Sequence, residues 1–204
     1  MHFYWYGKTF FKFEAKPNRK KVRVLVDPYL PEVGEAPRSL KSQITILTQR
    51  EQDTITLTGD PFQISTPGEF EKNGVLIYST QGHQADSSMI RIDTEGISVG
   101  HMGLTNKELT ERQLNTLNGV DVLCVPIGAE QAYDSEAAIK EINKIEPRVI
   151  IPMAFQSEND PAANSPDDFL SELGESSLEP EEKTIIKENN LPQEETKVVL
   201  LEKN

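Results

Sequence analysis

The hydrophobic pattern of this 204-residue chain changes its period part-way along, and that change restricts the fold more than any other feature. From the start to about residue 93 the apolar residues fall in short runs, around Phe3–Tyr6, Phe10–Glu14, Val22–Val26, Ile44–Thr48, Ile55–Thr58, Val75–Ser79 and Met89–Asp93. Gly, Pro, Asn and Asp separate these runs, which is the pattern of a sheet. After Ile97–Val99 the spacing shifts. Leu109, Leu114 and Leu117 fit one helix face opened by Thr105 or Asn106, and Ala137, Ala138, Ile139 and Ile142 fit another after Asp134-Ser135. Between and after them, Val120–Val125 and Val149–Ile151 are unbroken apolar runs, as expected of strands covered on both faces, with Pro126 and Pro152 as their stops.

The stretch 156–195 is rich in Ser, Asn, Pro and Glu, with Phe169-Leu170 and Ile185-Ile186 as its short apolar pieces. It reads as an acidic, loosely structured insertion with one or two short helices. Val198–Leu201 is expected to return to a sheet as the last strand. The whole of 1–204 is expected to be one domain, because this length supplies one full core and not two.

Charge narrows the partners. The net charge is −12, and residues 156–204 hold 13 acidic against 4 basic side chains. Such a surface repels phosphate backbones and anionic lipid, which argues against nucleic acid and membrane as partners. The basic cluster Lys16, Arg19, Lys20, Lys21 and Arg23 surrounds Pro17-Asn18 and reads as a solvated hairpin tip. No apolar run approaches the roughly 18–20 residues of a spanning helix, and the aromatic start lacks the order of a signal peptide, so a cytosolic protein is expected. Cys124, the single cysteine, lies in an apolar run and reads as a small buried hydrophobe. Monomer and homo-oligomer are equally compatible with the chain.

Seven phrases in order carry a family resemblance: Trp5-Tyr6-Gly7 with Phe10-Phe11; Val24–Pro28; Ile44–Thr48; Thr66–Phe70 with Asn73-Gly74-Val75; His101-Met102-Gly103; Val120–Leu123 with Pro126-Ile127-Gly128; and Val149–Met153. Over residues 3–155 the chain resembles the small metal-dependent hydrolases of the metallo-β-lactamase superfamily, the group that includes the L-ascorbate phosphate lactonases. The resemblance implies an α/β fold, a four-layer αββα sandwich of two mixed β-sheets, with a site along one sheet edge.

It also implies where metal ligands should stand. The family's His-x-His-x-Asp-His loop follows the strand that ends in Thr, and here that loop reads Gln49-Arg50-Glu51-Gln52-Asp53-Thr54. The later histidine of the family matches His83, the bridging aspartate falls at Leu104, and the last histidine falls at Ala154. Zinc takes imidazole, thiolate or carboxylate donors at about 2.0–2.3 Å, and an amide or a threonine hydroxyl does not replace them. Three histidines in the whole chain, His2, His83 and His101, together with one cysteine, cannot supply a multi-histidine dinuclear site by any pairing.

These former metal-loop and pocket positions, Gln49, Glu51, Asp53, Thr54, His83, Leu104 and Ala154, lead to three readings. The first is a non-catalytic protein without metal or other cofactor, serving as a binding or assembly module for an unknown protein or small molecule. The second is a weak or altered hydrolase with a single residual zinc at Glu51, Asp53 and His83. The third is a metal-free binder in which Leu104 and Ala154 make the old cavity apolar. Asp27 reads as a structural brace and His101 as a hydrogen-bonded structural histidine. Gly7-Lys8-Thr9 is rejected as a phosphate-binding loop, because the required earlier glycine is His2. Asp86-Ser87-Ser88 beside His83 lacks a nucleophile elbow and is not read as a serine hydrolase.

Overall fold

The computed structural model describes residues 1–49 and 53–204. The strands in chain order are β1 (His2–Trp5), β2 (Phe11–Ala15), β3 (Val22–Val26), β4 (Ser39–Lys41), β5 (Ile44–Ile46), β6 (Thr56–Thr58), β7 (Phe62–Ile64) and β8 (Gly68–Lys72). Then come β9 (Val75–Gln81), β10 (Ser88–Thr94), β11 (Ile97–His101), helix α1 (Glu111–Leu117), β12 (Val122–Pro126), α2 (Ser135–Ile145) and β13 (Val149–Met153). The chain ends with α3 (Asp167–Glu172), β14 (Thr184–Ile185) and β15 (Lys197–Val198).

One sheet has the order β14-β1-β2-β3-β5-β7 and the other β15-β13-β12-β11-β10-β9-β8. Both are mixed: β3, β5 and β7 run parallel in the first, and β11, β12, β13 and β15 run parallel in the second. The sequence decides which strands are covered on one face and which on two. In β2 burial alternates, with Phe11, Phe13 and Ala15 inward and Lys12 and Glu14 partly exposed, whereas β11, β12 and β13 are buried at every position. Phe3, Phe13, Ile44 and Ile64 of the first sheet share one core with Ile77, Ile90, Val99 and Ile151 of the second. Each fully buried side chain of that size contributes roughly 1.5–3 kcal/mol. The two mixed sheets inferred from the sequence are thus present and packed face to face.

The helices lie with the second sheet, α1 against β9 and β10, α2 against β12, and α3 against α2. A smaller ribbon, β4 paired in parallel with β6, sends Leu40 and Leu57 toward a second cluster of Tyr6, Phe10, Leu25, Tyr29 and Ile55. No helix among the described residues is long and apolar enough to cross a membrane.

Two local expectations need correction. Helix α1 opens at Glu111 with Thr110 as its cap, not at Thr105 or Asn106. The Thr110 hydroxyl accepts from the Gln113 N–H while the Gln113 side chain accepts from the Thr110 N–H, so two orphan donors are satisfied there. Leu109 is buried ahead of the helix, and Thr105 accepts from the Lys107 N–H in a turn. Pro152 does not stop its strand, since β13 runs on to Met153. Alternate residues of β13 turn their polar groups toward β15, as the Ile150 carbonyl does in accepting from Val199 at 2.9 Å. Pro152 faces that same side, but β15 pairs only with Val149 and Ile150, so no ladder bond requires the missing N–H.

The stretch 156–195 holds α3, whose Phe169 and Leu170 are buried, and β14, which adds to the free edge of β1 with His2 opposite Ile185.

Candidate functional site

The carboxyl ends of the parallel strands of both sheets converge on one cavity of about 270 Å³. Tyr29 follows β3, Gln49 follows β5, Leu104 follows β11, Ala129 follows β12 and Ala154 follows β13, and all five line it. Ligands of α/β proteins sit in this position because strand ends deliver loops to a common crevice while the strands hold them rigid. Lys8 and Thr9, from the turn between β1 and β2, close another side, and Asp160, from the stretch after β13, closes a further one.

Three residues beside this cavity are held in left-handed backbone conformations that L side chains rarely adopt: Lys8 (φ 46°), Asp27 (φ 48°) and Ala154 (φ 57°). Hydrogen bonds enforce them. The Lys8 carbonyl accepts from the Trp5 indole N–H at 2.8 Å and from the Ala154 N–H at 3.0 Å, so two of the strained positions fix one another. Strain of this kind, about 1–3 kcal/mol per residue, persists only where surrounding structure over-determines it, and it clusters at functional sites.

Asp27 is buried, and its carboxylate accepts from the Thr48 N–H at 2.5 Å and from the Thr48 hydroxyl. The Thr9 hydroxyl and the Gln49 N–H also donate to it. It braces the start of the loop after β5, the structural part read for it from the sequence. Burial pushes its carboxyl up to about 6, against the opposing pull of these hydrogen bonds. His101 is also buried. Gly103 donates its N–H to His101 Nδ1 at 3.2 Å, which leaves the proton on Nε2 to be donated to the Thr9 carbonyl at 3.0 Å. Burial pulls the imidazole down to about 4, so it is neutral at physiological pH.

The structure brings together Gln49, Leu104 and Ala154 from the positions named in the sequence. Asp53, Thr54 and His83 are not part of that lining. The Asp53 carbonyl accepts from Leu30, Thr54 bridges to Tyr29, and His83 is exposed on the turn after β9. Desolvation and the nearby Lys107 hold the His83 imidazole below its usual range, against Glu141. Glu51 lies outside the described residues.

A dinuclear zinc centre does not fit the described residues. Leu104 and Ala154 line the cavity, and neither side chain has a donor atom for a metal ion. Among the described residues no three His, Cys, Asp or Glu side chains form a group able to hold a metal ion.

Sequence reasoning passed over Lys8, Tyr29 and Asp160 of the lining, and Asn159 behind it. The Asn159 amide nitrogen donates to the Tyr6 carbonyl and to the Tyr29 hydroxyl, both at 3.2 Å. Only the Gly7-Lys8-Thr9 phrase had stood out, as a rejected phosphate loop, and nothing local ties Asn159 to a tyrosine 130 positions away.

Comparison with known proteins agrees with this architecture. A proposed zinc-dependent hydrolase of the metallo-β-lactamase superfamily from Thermotoga maritima superposes with a TM-score of 0.79 at 23% identity, over 98% of each chain. Igni18, a metallo hydrolase of the archaeon Ignicoccus hospitalis, gives 0.67 at 16% identity over 91% of this chain and 99% of its own. The isothiocyanate hydrolase from Delia radicum gut bacteria gives 0.64 at 14% identity, over 92% of this chain and 100% of its own. At these identities the likeness is one of fold. The family model described as the beta-lactamase superfamily domain matches residues 2–154, the span that holds every phrase of the resemblance, and the chain therefore belongs to the metallo-β-lactamase superfamily.

Proposed function

We propose that this chain is a non-catalytic member of its superfamily, a binding module that takes a small ligand in the cavity where its relatives' chemistry would be sited. One observation carries the reading. Gln49, Leu104 and Ala154 meet at a single cavity whose backbone frame is held in place, including the strained Lys8 and Ala154. No histidine or cysteine is among the described residues that line the cavity. Metal-activated water, the nucleophile of zinc hydrolases, requires ligands that these side chains do not supply.

The reading treats 1–204 as one cytosolic domain, with 156–195 as its acidic insertion before the last strand. What supports a single domain is that β14 adds to one sheet and β15 to the other.

The test is metal content by mass spectrometry after dialysis against excess zinc, with native mass spectrometry of the protein as purified from cells. Less than about a tenth of an equivalent of zinc together with a retained small molecule is expected. A full equivalent of zinc with zinc-dependent hydrolysis of a lactone or phosphoester would overturn the reading.

A further inference from the structure

The cavity is not chemically neutral, and the polarity of its groups points to a class of ligand. The Asn159 side-chain nitrogen faces the Tyr6 carbonyl, an acceptor only, which fixes that atom as the nitrogen of the amide. The same nitrogen donates to the Tyr29 oxygen. A phenol that receives this bond has its own hydrogen to give, and Tyr29 lines the cavity. Burial pushes the Tyr29 hydroxyl up to about 12, so it keeps that hydrogen at any physiological pH.

Lys8 supplies the charge. Its ammonium lies over the Tyr29 ring, 5.7 Å from the centroid, and among the described residues it forms no ion pair. The left-handed backbone that presents it is held by Trp5 and Ala154. Two donors, one of them charged, therefore meet at one aromatic side chain in a cavity that Leu104 and Ala154 also line.

We infer that the cavity binds a small monocarboxylate, its carboxylate held by the Lys8 ammonium and the Tyr29 hydroxyl and its short apolar chain set against Leu104 and Ala154. The inference rests on the reading of the chain as a metal-free binding module. Size and charge limit the class. A volume of about 270 Å³ lies just below the usual range of ligand pockets, roughly 300–1,000 Å³. Asp160 and Glu130 line the same cavity and repel any anion, a dianion such as a phosphate monoester about twice as strongly as a monocarboxylate, whose single charge Lys8 offsets. They would also meet the ammonium of an α-amino acid, so simple short-chain acids and amino acids are the two sources of the shared carboxylate.

The experiment is a thermal-shift and calorimetric titration of the full chain with sodium butyrate, L-leucine, n-butylamine and inorganic phosphate, each to about 10 mM, where even millimolar affinity registers. Butyrate or leucine should raise Tm with increasing dose, and phosphate and butylamine should not. A larger response to leucine assigns amino acids, and a larger response to butyrate assigns simple acids. Lys8→Gln should weaken the carboxylate by about tenfold or more, the scale of a lost charge-assisted hydrogen bond. Tyr29→Phe, which keeps the ring and removes only the donor, should also weaken it and guards against misfolding of the first variant. No response to either carboxylate, preference for butylamine or phosphate, or unchanged titrations in both variants would overturn the inference. If native mass spectrometry then found a neutral or cationic molecule, the binding-module reading would stand without it. Zinc-dependent hydrolysis would remove both.

Discussion

His101 and Thr9 join the two sheets through one buried hydrogen bond, the imidazole at the end of β11 donating to a carbonyl in the turn before β2 at 3.0 Å. The Thr9 hydroxyl meanwhile donates to Asp27, so one threonine connects two buried titratable groups. Their linkages oppose each other. His101, drawn down from 6.5 to about 4, stays neutral when the unfolded chain takes up a proton, so its contribution weakens the fold as pH falls from 6.5 toward 4. Asp27, raised from 3.8 to about 6, takes up a proton in the folded state first. Its contribution therefore favours the fold at low pH and is lost as pH rises through 6. Between about pH 6 and 4 the two slopes nearly cancel. Asp27→Asn removes one of them, and urea melts of this variant should lose about 2 kcal/mol more than the parent between pH 7 and pH 4. Parallel curves for the two proteins would show that Asp27 does not titrate as its burial requires.

Gly103 directly precedes Leu104, which lines the cavity. Its φ of 65° is left-handed, and a Cβ there would lie 2.8 Å from the Ser88 carbonyl oxygen. Its N–H also orients His101. Gly103→Ala should cost about 2–3 kcal/mol, from the strained backbone and the contact together. Displacement of the backbone should also free His101 Nδ1, so the imidazole should titrate closer to its usual range by NMR. A variant with parental stability and an unmoved His101 resonance would contradict this account of the turn.

The parts legible in the sequence were those decided by local pattern. Val22–Val26 alternates and then stops at an Asp-Pro pair, and β3 has those same bounds. Asp134-Ser135 opens α2 because an aspartate side chain can cap Ala137 wherever the rest of the chain lies. Gln49, Leu104 and Ala154 were legible for another reason: each follows a strand whose phrase is recognisable, so its place at a strand end came with the strand. Leu109 misled because three leucines at near-helical spacing do not show that the cap falls between the first and second. Asn159 and Tyr29 could not be paired from sequence, since their contact depends on how a loop after β13 packs over the end of β3.

The stretch 156–195 can be tested by what it buries. Phe169 of α3 is 2% exposed and sits with Leu170 in the main core. If this stretch is part of the folding unit, Phe169→Ala should destabilise the whole domain by about 3–5 kcal/mol in a single transition. An insertion that was loosely held would tolerate the change with less than about 1 kcal/mol of loss, or would show a separate early transition.

Cys124 gives a local check on the core. It lies in the middle of β12, between β11 and β13, with no exposed surface. Burial drives its thiol well above the ordinary range, and the thiolate is the species that reacts. Both access and ionisation are therefore denied in the folded chain. A thiol-specific reagent at neutral pH should leave Cys124 unmodified in the native protein and label it fully in strong denaturant, with the native rate following global unfolding. Because β12 is central in its sheet, that rate should rise in Phe169→Ala by the same factor as the unfolding constant, provided refolding outpaces labelling. Rapid labelling of the native chain would mean that the second sheet opens locally, which its three consecutive fully buried strands argue against.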